Sequence, residues 1–349
     1  MKIESSSFGT TKDGSPVTAY RITNSKGAYI TLIDYGAVLK DVCVPDKNGK
    51  LIDVALGYDN VAAYEVNPPH FGATIGRNGN RIEGGSFSLD GTDYQLALNE
   101  KGRNNLHSGP DGYEFRMWEA ALNEANGCVT FSIVSPDGDQ GFPGTFKVAV
   151  TYMLTEENKV KIHYEGVCDR TTVANMTNHS YFNLNGHDAG TIMNHTLQIH
   201  ADGYVPVDEN SIPYGTVDSV EGTPFDFREG KTIGQDAAAE DDQLAHTGGY
   251  DHNFALNGSG LRNVATAVGD KSGISMQVMT DLPGMQFYAG NFISGPAGKG
   301  GVTYKPHEGF ALETQYFPNS INVLAFESPK LQQGAPYSTT TCYTFGISS

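Results

Sequence analysis

The chain has 349 residues and a formal charge of −17, with 18% charged residues against Gly 42, Tyr 18 and Phe 17. That balance, with no Lys/Arg cluster, excludes a nucleic-acid or anionic-membrane surface and disfavours polyanionic substrates. The glycine- and aromatic-rich composition argues for many turns joining strands, not for a helical bundle.

Residues 14–58 alternate turn signals with the strand-like runs Val17–Ile22, Ala28–Ile33 and Val42–Pro45. Asp59–Glu65 reads as a short helix before Pro68-Pro69, and Gly76-Arg77-Asn78-Gly79-Asn80-Arg81-Ile82 as a glycine-spaced edge suited to close approach of a ligand. Gly85–Tyr94 reads as a hairpin across Asp90-Gly91, because that pair tolerates the left-handed turn a tight hairpin needs.

Further strands are expected at 129–134, 146–154 and 159–167. Val173–Leu184 then reads as one strand closing on the turn Asn185-Gly186. Its alternation puts Asn178, Ser180 and Phe182 on one face and His179, Tyr181 and Asn183 on the other. The run 196–200 follows. Gly203–Asp251, with Pro206, Pro213, Pro224 and an acidic stretch near 237–242, is irregular enough to read as functional loop or lid. Strands return at 274–280, 285–292, 309–315 and 341–347. No linker divides the chain, so residues 1–349 are expected to form a single all-β domain of two large antiparallel sheets packed face to face.

Cys43, Cys128, Cys168 and Cys342 stand singly, which suits reduced packing residues better than a disulfide or zinc framework. The N-terminus lacks an apolar signal core, and no segment is long and apolar enough to span a membrane. A soluble, cytoplasmic protein is expected.

The polar constellations are Asn80-Arg81, Asn105-Leu106-His107-Ser108-Gly109, Asn178–Gly186, Gly249-Tyr250-Asp251-His252 and Glu313–Asn319. Each has an ordinary reading: a surface ion pair, a turn, a satisfied core histidine, an Asx-turn, an exposed strand residue. Together they supply a carboxylate, imidazoles, an Arg and amides, with Trp118 and many Tyr and Phe in the chain. That inventory suits a sugar, which offers vicinal hydroxyls and an apolar C–H face.

In combination with Pro283–Asn291, these motifs resemble the galactose mutarotase (aldose 1-epimerase) family along nearly the whole chain. The resemblance implies a large antiparallel β-supersandwich and cofactor- and metal-independent exchange of α and β anomers of free aldohexoses. It implies Glu313 as general base, His179 as general acid, and His107 in support near the ring oxygen. Asn80, Arg81, Asp251 and Gln286, with Tyr181 beside His179, would hold the sugar. Ser108 stands where the family has a glycine and so bears on sugar preference. The partner expected is a small-molecule aldohexose, on a monomer or homodimer.

Four rivals remain. A non-catalytic carbohydrate-binding protein needs no acid–base pair. A glycoside hydrolase needs two carboxylates, here Asp251 and Glu313. A metal enzyme would use His107, His179 and a carboxylate, although the sequence has no close His-Glu-x-x-His ligand pair. A hexose-6-phosphate 1-epimerase is the nearest alternative enzyme.

Overall fold

In the computed structural model, which describes residues 1–348, the chain is built mainly from antiparallel strands. The largest sheet has nine, in the spatial order Glu119–Asn123, Cys128–Ser135, Phe146–Leu154, Lys159–Cys168, Pro336–Ile347, Ile274–Thr280, Arg262–Val268, Thr196–Ile199 and Lys231–Thr232. Alternation explains its inner face. Phe146, Val148, Val150, Tyr152 and Leu154 are buried, while the residues between them are half-buried or exposed.

A six-stranded sheet runs Tyr181–Phe182, Phe310–Gln315, Gly284–Tyr288, Asp251–Ala255, Gly203–Val205 and Asp218–Ser219. Phe182, Leu312, Met285, Phe287 and Phe254 form its apolar face and share one core with Val278, Tyr343 and Phe345 of the nine-stranded sheet. The Phe182 and Tyr343 rings meet at 5.1 Å, and the Tyr343 hydroxyl donates to the Leu312 carbonyl at 3.1 Å. Every residue of Phe310–Gln315 is buried, so this strand is covered on both faces.

The expected face-to-face pair of sheets is present, but six strands cannot cover nine. The N-terminal strands Lys2–Thr10, Pro16–Thr23, Tyr29–Ile33, Val38–Pro45 and Leu51–Asp53 form a further sheet. It packs over the other half, with Tyr20 against Phe131 at 5.8 Å.

The stretch 173–184 is not one strand. Thr172–Val173, Thr177–Asn178 and Tyr181–Phe182 pair with three different partners: Lys330–Leu331, Thr74–Ile75 and Phe310–Gln315. Asparagine side chains help break it up, one by a local bond to the backbone and one by a bond to a distant segment. Asn178 Oδ1 accepts from the Ser180 N–H at 3.1 Å, and Asn175 Oδ1 from the Tyr316 N–H at 2.9 Å. The strand expected at 285–292 likewise ends at Tyr288, where the chain turns through Gly290 with φ +65°.

Arg77 of the glycine-spaced run is only 1% exposed and acts as a staple. It donates to the carbonyls of Pro143 (2.8 Å), Gly144 (3.1 Å) and Ser135 (3.3 Å) and to the hydroxyls of Ser135 (2.7 Å) and Thr172 (3.1 Å). Arg77→Met keeps much of the volume but strands several buried acceptors, each costing about 1–3 kcal/mol when unpaired. A stability loss of about 3 kcal/mol or more is expected in denaturant titration. A loss within 0.5 kcal/mol would contradict the staple.

Candidate active site

A cleft of about 470 Å³ opens on the polar face of the six-stranded sheet, lined by Asn80, Arg81, His107, His179, Tyr181, Asp251 and Glu313 among others. A groove of about 870 Å³ lies elsewhere, on the outer face of the nine-stranded sheet beside Val134 and Val167, and has no imidazole or amide cluster.

Register builds the floor. Gln286 lies opposite Glu313, Tyr288 opposite Ala311, Tyr181 opposite Ala311, and Asp251 opposite Tyr288, so these side chains share one face. His179 stands just outside Tyr181–Phe182, its ring stacked on Tyr181 at 5.2 Å and 27°. Asn183 does not join them. Its amide donates to the Gly190 and Glu308 carbonyls and holds a turn.

Two short strands bring the wall motifs together, Arg81 pairing with Leu106 and Ile82 with Asn105. Asn80 and His107 flank this ladder with φ of +58° and +52°. The Asn80 N–H donates to His107 Nδ1 at 3.1 Å, and the His107 N–H to the Asn80 carbonyl at 3.1 Å. A neutral His107 therefore carries its proton on Nε2. Asn80 Oδ1 accepts from the Arg81 N–H at 2.8 Å, which leaves the amide NH₂ as the free end. Arg81 grips Glu100 in a fork, Nε at 2.9 Å and Nη2 at 2.7 Å.

Glu313 and His179 face one another, Oε1 to Nε2 at 3.5 Å, and both are almost wholly buried. Among the described residues, Glu313 Oε2 and His179 Nδ1 are buried without a partner, as befits groups kept for a ligand. Burial, reinforced by the charge of Asp251, pushes the Glu313 carboxyl well up despite Arg81. Burial and the nearby His70 push His179 well down. The carboxylate is thus made more basic and the imidazole less so. His107 also lies well below its ordinary value, through burial and then His70, His179 and Arg81.

Asp251 is raised by burial, with Arg81 and the Gln286 hydrogen bond opposing. Gln286 sits one rank behind it: Nε2 donates to Asp251 Oδ1 at 2.7 Å and Oε1 accepts from Gln315 at 3.2 Å. Both ends of its amide are engaged by protein, and Gln286 does not line the cleft. Ser108 is also set back, its hydroxyl bonded to the Asn78 backbone both ways. His252 faces away, and Trp118 is core, its Nε1–H donating to the Tyr113 carbonyl at 3.1 Å. The aromatic faces in the cleft are Tyr181, Tyr288 and Phe292, the last 68% exposed.

Several lining residues lie outside the motifs singled out from sequence. His70 follows Pro68-Pro69 and is set beside His179 by Gly72, whose N–H donates to the His179 carbonyl while the His179 N–H donates to Ala73. Gly72 has φ +68°, and a Cβ there would strike the Leu39 carbonyl. Glu209, Ser211 and Ala245–Gly248 come from the irregular 203–251 region, which forms one wall.

His107, His179 and Glu313 present ligand atoms within 4.8 Å of one another, close enough to share a cation. Their donor chemistry does not suit one. The nitrogen His107 turns from the Asn80 N–H carries the proton, and among the described residues neither ring has the outer acceptor that usually orients a ligating histidine.

The family model described as Aldose 1-epimerase matches residues 18–344. The chain is 41% identical over 320 residues to a galactose mutarotase of Bos taurus, covering 91% of each. It is 39% identical over 337 residues to an aldose 1-epimerase of Escherichia coli (strain K12), covering 95% of this chain and 96% of that one. Among solved structures, a GalM/aldose epimerase homologue from C. elegans superposes with TM-score 0.87 at 32% identity, over 94% of this chain and 98% of that one. The galactose 1-epimerase of Lactobacillus acidophilus NCFM superposes with TM-score 0.86 at 27% identity, over the whole of both chains.

Proposed function

The chain belongs to the aldose 1-epimerase family, and from that premise we propose that it interconverts the anomers of free aldohexoses such as galactose and glucose, with Glu313 as base and His179 as acid. The observation that carries the roles is the buried Glu313–His179 pair at 3.5 Å. The anomeric hydroxyl and the ring oxygen are bonded to one carbon, so an acid and a base that share one small space can serve both.

Glu313 takes the proton of the anomeric hydroxyl as the bond from C1 to the ring oxygen breaks. The electron pair stays on that oxygen, which takes a proton from His179, and C1 becomes an aldehyde. Rotation about C1–C2 presents the other carbonyl face. Reclosure then reverses the two proton transfers. A carboxylate made more basic takes the anomeric proton more readily, and an imidazole made less basic gives its proton up more readily. His107, with its proton on Nε2, donates beside the pair, while Asn80, Arg81 and Asp251 hold hydroxyls and Gln286 holds Asp251 in place. Tyr181 backs the His179 ring.

The proposal takes residues 1–349 as one domain, supported by a core cluster shared by all the large sheets. A cytoplasmic location is supported by four cysteines that are free and buried. Among the described residues no helix is long and apolar enough to cross a membrane.

Polarimetry on freshly dissolved α-galactose and α-glucose tests the activity. Decay at the buffer rate would leave only a binding role. Free sugars should also be turned over better than hexose 6-phosphates. Arg81, Lys101 and a protonated His70 are outnumbered in the cleft by Glu100, Glu209, Asp251 and Glu313, and Arg81 is already held by Glu100 and His70 by Glu114. Higher kcat/KM for glucose 6-phosphate than for glucose or galactose would overturn this.

A further inference from the structure

We propose that His70, oriented by the buried Glu114 carboxylate, is a further substrate-binding residue of this cleft, its Nε2–H donating to a sugar hydroxyl beside the acid–base pair. The inference rests on the sugar-site reading above.

His70 Nδ1 lies 2.6 Å from Glu114 Oε2, and Glu114 is 4% exposed. A buried carboxylate needs a donor, and His70 is the hydrogen-bonding partner of its side chain. Nδ1 therefore carries a proton committed to Glu114. Nε2, the other nitrogen, has no protein partner among the described residues, and the ring lines the cleft.

The ring is rigidly placed. The His70 N–H donates to the Asn67 carbonyl at 2.9 Å, and the Ala73 N–H donates to the His70 carbonyl at 3.1 Å. Its centroid is 4.9 Å from that of His107 and 5.3 Å from that of His179, which puts the three imidazoles around one space. The titratable groups facing it are Glu114 from the turn Tyr113–Phe115, His107 from the wall turn, and His179 from the floor.

Burial alone would lower His70, but Glu114 outweighs it and holds the ring above its ordinary value. Among the three, His70 is the imidazole whose second proton is favoured, and while the ring holds both protons its Nε2–H is a donor aimed into the cleft.

The test is KM and kcat for galactose across pH in wild type, His70→Phe, His70→Gln and Glu114→Gln, with thermal melts as the folding control. His70→Phe keeps ring bulk and deletes the donor; KM should rise about tenfold or more with kcat little changed. His70→Gln, which returns an amide donor near Nε2, should recover part of that. In wild type the His70 contribution is present at low pH and is lost as pH rises through its raised pKa. Glu114→Gln should move that loss to lower pH, and His70→Phe should abolish it. An unchanged KM in a folded His70→Phe protein, or a loss confined to kcat, would overturn the proposal. If wild type itself fails to exchange anomers, the catalytic reading falls. Calorimetric affinity for galactose in wild type against His70→Phe still decides the role of His70, equal affinities refuting it.

Discussion

Glu313→Gln is expected to lower kcat for galactose mutarotation by about 10²–10⁴-fold while leaving KM within a few-fold of wild type. The substitution keeps side-chain volume and one carbonyl acceptor, so the strand Phe310–Gln315 and its pairing with Gly284–Tyr288 have no reason to move. What disappears is the basic oxygen that faces His179 at 3.5 Å. His179 cannot replace it, since one imidazole cannot take the anomeric proton and protonate the ring oxygen in the same step. The wild-type pH profile carries a second signature. Glu313 must be ionised to act as base, and burial with Asp251 holds its carboxyl well above the usual range. The acidic limb of kcat/KM should therefore lie above an ordinary carboxylate value, and Glu313→Gln should remove it. A folded Glu313→Gln protein with near-wild-type kcat would place the base elsewhere, Asp251 being the next carboxylate in the cleft.

Much of this arrangement was legible in the chain, and the rest shows where local reading stops. The hairpin across Asp90-Gly91 and the strand Ile274–Thr280 follow from turn chemistry and alternation, both properties of neighbouring residues. The helix Val61–Tyr64 falls inside the stretch 59–65 read as one, and the structure adds its cap, Asn60 accepting from the Ala63 N–H. Val173–Leu184 defeated the same rules. Its β-branched and aromatic residues favour a strand, but asparagine side chains at 175 and 178 divert the backbone and three separate partners claim its pieces. The pairing of the Asn80 and His107 motifs shows in the sequence only as polar composition; the hydrogen bond that sets the His107 tautomer is tertiary. His70 and Glu114 are not legible in the sequence because each is a lone residue in a turn. They meet across 44 positions of sequence, and the only local hint was a histidine locked between Pro68-Pro69 and Gly72.

His179→Gln is expected to reduce kcat as severely as Glu313→Gln, and the double variant to lose far less than the product of the two single losses. The glutamine keeps a polar side chain where the imidazole lay, but it cannot deliver a proton to the ring oxygen. Ring opening would then expel an alkoxide into a buried site whose nearby carboxylates, Glu313 and Asp251, disfavour negative charge. Once the acid is gone the base has no concerted partner, so removing it costs little more; groups that act as a unit are non-additive. The removed ring also stacks on Tyr181 at 5.2 Å and stands 5.2 Å from His107, so part of any loss in melting temperature is packing. kcat and KM with thermal melts on the two single variants and the double separate these effects. Losses that multiply would mean that Glu313 and His179 act in independent steps. A His179→Gln protein that keeps its rate would transfer the acid role to His107, whose Nε2 carries its proton beside the pair.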